Sequence, residues 1–231
     1  MDSSAHSETV RIDCGMVRIE GMLEIPLAPE GIVLFAHGSG SSRLSPRNNQ
    51  VAAVLREARL ATLLIDLLTP DEDRTYETRF DIGLLTSRLD AAASWLQQQE
   101  ATAELPLGLF GASTGAAAAL QLAALRPDKI RAVVSRGGRT DLAGVQALRA
   151  VEAPTLFIVG GLDYVAIDLN RSSYMTLQCE KHLEIIPDAT HLFQETGTLD
   201  TVAALAADWF CLHLAHHERH MPPSIGRGTS A

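Results

Sequence analysis

The sequence predicts an α/β fold, a mostly parallel sheet with helices on both faces. Short apolar runs alternate along the chain with longer segments of helical periodicity, the pattern that repeated strand-helix-strand units produce. The runs are dense in Val, Ile, Leu and Phe and barely alternate with polar residues, so their strands are expected to be buried on both faces. With 231 residues, 46% hydrophobic and 20% charged, the chain suits one globular domain with a substantial core. That domain is placed at residues 10–215, with 1–9 and 216–231 as flexible tails.

In chain order, MVRIEGMLEIP from Met16 alternates apolar with polar residues and reads as an antiparallel hairpin turning at Gly21, at the edge of the sheet. Six buried strands follow: GIVLFAHG from Gly31, ATLLIDL from Ala61, LPLGLFGAS from Leu105, IRAVVSRGG from Ile130, PTLFIVGG from Pro154 and HLEIIPD from His182. Helices are expected between them at 47–59, 78–99, 114–126, 141–149, 166–178 and 199–213, and residues 69–76 read as a charged, mobile loop.

The net charge of -9 disfavours nucleic-acid binding, because an acidic surface without a basic stripe meets phosphates against its own field. Cys14, Cys179 and Cys211 are scattered without C-x-x-C spacing, which points away from a disulfide framework or a zinc site and toward a reducing cytoplasm. The opening MDSSAHSETV has no basic region leading into an apolar stretch, so no secretory signal is expected. No apolar run reaches the roughly 18 to 20 residues of a membrane span, so no membrane partner is expected either. His216 and His220 lie one helical turn apart and could ligate a metal, but a solvated helix end is the better reading.

Open parallel sheets bind ligands beyond the carboxyl ends of their strands. Those ends carry His37-Gly38-Ser39-Gly40, then Gly111-Ala112-Ser113-Thr114-Gly115, then Gly160-Gly161-Leu162-Asp163, and finally Pro187-Asp188-Ala189-Thr190-His191. Taken in order they supply a serine, an acid and a histidine. Serine is a weak nucleophile until a base takes its proton, which histidine does near neutral pH while a carboxylate fixes its tautomer. Ser113 is therefore the candidate nucleophile, His191 the base and Asp163 the acid; Asp163 is preferred to Asp168 because it lies nearer the strand end. The backbone N–H groups of Thr114 and Ser39 are the candidate oxyanion donors, and His37 is read as organising the loop that carries Ser39.

Gly-Ala-Ser-x-Gly also suits a dinucleotide-binding turn of the short-chain dehydrogenase kind. That reading needs a Tyr-x-x-x-Lys pair, and Tyr76, Tyr164 and Tyr174 are followed four residues on by Phe80, Asp168 and Gln178. HGSGSSR likewise lacks the Gly-Lys-Ser/Thr ending of a phosphate loop.

With these residues in place, the chain from about Met16 to His213 resembles an alpha/beta-hydrolase of the dienelactone hydrolase-like group. HGSGSSRLSPRN, RFDIGLLTSRL, GASTGAAAA, VVSRGGR and ATHLF resemble bacterial hydrolase domains that are sometimes fused to a phosphoribosyltransferase domain; no such partner is expected from the residues here. The resemblance implies an alpha/beta-hydrolase fold of about eight strands, with Ser113, Asp163 and His191 as triad, and it implies no metal or organic cofactor. Dienelactone hydrolases proper carry cysteine where this chain has Ser113, a departure that favours ordinary ester chemistry over lactones.

Only a short segment separates Arg139 from the strand at Pro154, so no large lid is expected and small soluble acyl esters fit best. Arg136 and Arg139 leave a strand end on the active-site side and Arg43 and Arg47 follow the loop that carries Ser39, so these arginines, Arg43, Arg136 and Arg139 foremost, are candidates for clamping a carboxylate or phosphate on the substrate. The alternative for them is pairing with local acids such as Asp66 or Asp141. The functional expectation is a cytoplasmic serine esterase, possible as a homodimer, that forms an acyl-enzyme on Ser113. Peroxide in place of water, or a non-catalytic binding module on the same fold, are the alternatives.

Overall fold

The computed structural model describes residues 6–215. Strands β1 (His6–Cys14) and β2 (Val17–Ile25) form an antiparallel hairpin; β3 (Gly31–Ala36), β4 (Leu60–Ile65), β5 (Leu107–Ala112), β6 (Ile130–Arg136), β7 (Thr155–Gly160) and β8 (Lys181–Ile186) follow. The eight strands form one sheet in the order β1-β2-β4-β3-β5-β6-β7-β8, parallel from β4 to β8. The hairpin joins antiparallel through β2 and β4.

Every residue of β3, β4, β5 and β7 is buried, because successive side chains serve opposite cores. Leu34, Leu63, Leu109 and Val133 face α3 (Ile82–Leu96) and α4 (Thr114–Leu125). Val33, Phe35, Phe110 and Val134 face α1 (Pro46–Glu57) and α7 (Thr198–Leu214). On that second face the Phe35 and Phe110 rings pack with centroids 4.8 Å apart. The expected α/β architecture with helices on both faces is thus present.

Several local expectations are corrected. The hairpin turns at Gly15 (φ 79°) and Met16, and Gly21 lies inside β2 opposite Val10. Gly21 is there because a Cβ would stand 3.0 Å from both the Leu63 and Val10 side chains. β1 begins at His6, ahead of the expected boundary at residue 10; its mostly exposed side chains carry little apolar pattern.

The helix expected over 78–99 is two helices, α2 (Tyr76–Arg79) and α3, separated where the Asp81 carboxylate accepts from the Leu84 N–H at 3.0 Å and caps α3. Gly144 (φ 84°) likewise divides 141–149 into a 3-10 turn, Thr140–Ala143, and the short α5 (Val145–Ala150). These two pieces are all that stands where a lid would be inserted.

The segment at 69–76 contains a 3-10 turn, Glu72–Arg74, tied to the domain by Arg88, which donates to Glu72 at 2.8 Å. Among the described residues no helix is long and apolar enough to cross a membrane. Residues 1–5 of the expected N-terminal tail at 1–9, and the whole expected tail at 216–231 with the His216 and His220 pair, lie outside the described residues.

Candidate active site

Ser113 sits between β5 and α4 with φ 50° and ψ −120°. A non-glycine residue in this region is strained by about 1–3 kcal/mol and persists only where its surroundings hold it. They do so through packing and hydrogen bonds. A methyl at Gly111 would stand 2.4 Å from the Ala116 Cα, and one at Gly115 would stand 2.2 Å from the Ala36 carbonyl oxygen, so both positions require glycine. The Ser113 N–H donates to the Arg136 carbonyl at 3.2 Å, and the Ser113 carbonyl accepts from the Arg139 N–H at 3.0 Å.

The acid and the base arrive on two loops that interlock. Gly160 closes β7 so tightly against the later loop that a Cβ there would lie 2.4 Å from the Ala189 carbonyl oxygen. Leu162 N–H donates to that carbonyl at 2.9 Å, and Gly161 N–H to Ile186 at 2.8 Å. As a result Asp163 Oδ2 meets His191 Nδ1 at 2.6 Å. The other carboxylate oxygen accepts from the Ala166 N–H at 3.3 Å, capping α6 (Tyr164–Thr176). Asp168, the rival acid, is exposed along α6.

The His191 ring lies against Gly137, next to the Arg136 carbonyl that holds Ser113. Ser113 and His191 are therefore anchored to consecutive residues of one loop. Among the described residues no hydrogen bond joins Ser113 Oγ to His191. Such contacts are often long before substrate binds.

The loop after β3 packs on the serine: a Cβ at Gly38 would stand 2.9 Å from the Ser113 Cβ. His37 braces that loop from beneath. It is buried, it accepts the Leu67 N–H on Nε2 at 2.9 Å, and its Nδ1 is 2.9 Å from the Gly38 carbonyl. The Leu67 donor requires a bare Nε2, which assigns the proton to Nδ1 and makes the ring neutral. Burial agrees with this, holding the His37 pKa below its ordinary value. The N–H groups of Ser39 and Thr114 have no acceptor among the described residues.

The candidate arginines part company. Arg43 is spent on structure, since its backbone N–H donates to Asp66 at 2.7 Å and its guanidinium pairs with Asp66 and Glu20. Arg139 pairs with Asp141 in a two-point contact at 2.8 and 2.9 Å. Arg136, like Arg47, has no acid partner among the described residues; it is 5% exposed, with Nη2 3.4 Å from Asn48 Oδ1 and its guanidinium 5.7 Å from the Phe193 ring centroid.

Sequence reasoning missed several residues that shape this end of the sheet. Asn170, fully buried on α6, donates to the Gly138 carbonyl at 2.8 Å and fixes the loop shared by Ser113 and His191. Thr190 donates to Glu195 at 2.6 Å through its hydroxyl, bracing the loop before His191. Arg79 lies beside Gly40 in the loop after β3. An asparagine within a helix and an acid four residues past His191 carried no signal at sequence level.

One large concavity lies away from these residues. A groove of about 1070 Å³, lined by residues including Thr102, Pro106, Lys129 and His213, opens at the amino ends of the strands. Parallel sheets place their chemistry at the opposite end, where Ser113 and His191 are.

The comparisons agree with the fold. Residues 31–152 match the family model described as alpha/beta hydrolase fold. A dienelactone hydrolase from Anabaena variabilis ATCC 29413 has 55% sequence identity and a TM-score of 0.88, over 91% of this chain and 99% of that one. Est1E from Butyrivibrio proteoclasticus shares the fold at 15% identity and a TM-score of 0.77, over 89% and 98%. A Mycobacterium tuberculosis protein, provisionally named a phosphoribosyl transferase, is 54% identical over 213 residues, which are 92% of this chain and 48% of that protein. The chain thus spans about half the length of the curated relatives it matches. It belongs to the alpha/beta hydrolase fold family, among the dienelactone hydrolase-like members.

Proposed function

We propose that this hydrolase cleaves small soluble carboxylic esters through an acyl-enzyme on Ser113. The observation that carries the reading is the 2.6 Å contact between His191 Nδ1 and Asp163, formed beside a serine held at φ 50°. In the reaction, Ser113 Oγ attacks the ester carbonyl as His191 Nε2 takes the hydroxyl proton. Asp163 stabilises the imidazolium through Nδ1–H, and the N–H groups of Thr114 and Ser39 receive the developing oxyanion. Collapse breaks the bond to the alkoxy group, which leaves with the proton held by His191. Water, deprotonated by the same nitrogen, then attacks the acyl-enzyme and releases the acid.

Small substrates are favoured because only a 3-10 turn and the six-residue α5 occupy the lid position. A lactone is an internal ester open to the same steps, and 55% identity to a protein called dienelactone hydrolase favours it as a second substrate class. The transferase name of the Mycobacterium tuberculosis relatives covers a chain about twice as long, and this reading takes nothing from it. Free Cys14, Cys179 and Cys211 suit a reducing cytoplasm, which completes the proposal.

The test is labelling with a fluorophosphonate, together with hydrolysis of 4-nitrophenyl acyl esters of increasing chain length. Both are expected in the wild-type protein and absent in Ser113→Ala. Turnover that survives the substitution contradicts the proposal, and a folded wild-type protein that neither labels nor turns over is a binding module instead.

A further inference from the structure

Strand β8 ends one side of the sheet and pairs with β7 alone. Its ladder is regular, running without a bulge from Thr155 opposite Lys181 to Gly160 opposite Ile186. Thr155 N–H donates to the Glu180 carbonyl at 2.9 Å, and Gly161 N–H donates to the Ile186 carbonyl at 2.8 Å. Main-chain direction alternates along a strand, so Glu180, His182, Glu184 and Ile186 address β7, whereas Lys181, Leu183 and Ile185 turn their N–H and carbonyl groups outward. Those outward groups have no hydrogen-bond partner among the described residues.

Open edges are normally guarded by charged side chains, prolines or bulges, because unpaired main chain attracts another strand. This edge lacks a guard. Lys181 is turned aside, its ammonium donating to the Leu177 carbonyl at 2.6 Å and lying 4.8 Å from the Tyr174 ring centroid. Leu183 and Ile185 are half-buried against Val159, Ala166 and Ile167. The opposite edge differs, since β1 presents the exposed charges of Arg11 and Asp13, already engaged by Glu20 and Arg18 of β2.

A second copy of β8 is the complement of this edge. Antiparallel pairing about a two-fold axis at Leu183 sets that residue against Leu183 of the partner subunit and Lys181 against Ile185 of the partner subunit. All of these have outward main-chain groups, so each pair exchanges both of its bonds. The same register sets His182 against Glu184 of the partner subunit, and Glu184 against His182 of the partner subunit. These positions fall between the hydrogen-bonded pairs, where facing Cα atoms come within about 4.5 Å and side chains meet most closely. Within one strand His182 Nε2 and Glu184 Oε2 already lie 3.2 Å apart on one face, and pairing closes them into a set of two imidazoles and two carboxylates. An imidazole N–H donates to a carboxylate whether or not the ring is charged.

We propose that the protein forms a symmetric dimer in which β8 of one protomer pairs antiparallel with β8 of its partner, continuing the sheet through both. The proposal is independent of the chemistry assigned to Ser113.

The test is sedimentation equilibrium of the full chain across a concentration series, for the wild type and two variants. The wild type is expected to dimerise. His182→Glu sets carboxylate against carboxylate at both symmetric positions, and its dissociation constant should rise by about tenfold. His182→Glu/Glu184→Lys restores opposite charges in this register alone, and should return the constant to within about threefold of the wild type. His182 is exposed and Glu184 half-exposed, so both variants should fold, which circular dichroism checks. A wild-type chain that stays monomeric up to roughly 100 μM overturns the proposal. So does a dimer that His182→Glu leaves intact, or one that the double variant fails to restore.

Discussion

Ser113 holds a backbone conformation that costs about 1–3 kcal/mol, offset by the packing of α4 against β3 through Gly115. The contact between Asp163 and His191 engages Nδ1 and leaves Nε2 as the nitrogen for the proposed proton transfer. Asp163→Asn is expected to lower kcat by about three to four orders of magnitude with the fold retained, because the amide favours the wrong tautomer; a loss below tenfold, read by steady-state kinetics, would remove Asp163 from the mechanism. Arg43 behaves differently: Arg43→Met should lower the melting temperature by releasing Asp66 and Glu20, while the preference between anionic and neutral esters stays put. The positions of Ser113, Asp163 and His191 were legible because each lies just past the carboxyl end of its strand, where an α/β sheet gathers side chains from distant parts of the chain. The fate of the arginines was legible in part: Asp66 and Asp141 stood as alternative partners and are the acids that Arg43 and Arg139 take, whereas Glu20, 23 residues before Arg43 and brought near only by the sheet, was not foreseen.

Among elements, the strands that bear the site were legible nearly to the residue, because a strand buried on both faces leaves an unbroken apolar run. The edge hairpin was half legible. Its outer strand buries few side chains, and Gly21, a packing glycine, resembled a turn glycine. Helix breaks at Asp81 and Gly144 depend on one cap and one left-handed residue, which a continuous helical pattern masks. The interlocked loops after β7 and β8 give the element-scale prediction. Gly160→Ala forces a methyl toward the Ala189 carbonyl, separating the two loops, and kcat should fall by about a hundredfold while near-ultraviolet dichroism stays native. Unchanged kcat would mean that the loops are not what aligns Asp163 with His191.

Across the whole molecule, the eight-stranded sheet collects His37, Ser113, Asp163 and His191 at one end, and the pH response of the fold follows from the most buried of these. His37 binds a proton less readily in the folded chain than in the unfolded one. Its contribution to stability is therefore complete above its ordinary pKa of 6.5 and is lost as pH falls below that value, by up to about 1.4 kcal/mol per pH unit. Glu195, held below its ordinary 4.5 by Thr190, acts in the same direction at lower pH. Urea denaturation at pH 7 and pH 5 should show a loss that shrinks in His37→Gln; an identical loss in the variant would place the acid sensitivity elsewhere. The fold as a whole was legible because its alternation of runs and helices spans the entire described chain, whereas the neutral tautomer of His37 depends on the Leu67 N–H, 30 residues on. The most direct measurement of the central claim is intact-protein mass spectrometry after a rapid quench with 4-nitrophenyl valerate. The account predicts a valeryl adduct on Ser113 in the wild-type protein and none in Ser113→Ala; an adduct on another residue, or turnover by the alanine variant, would contradict it.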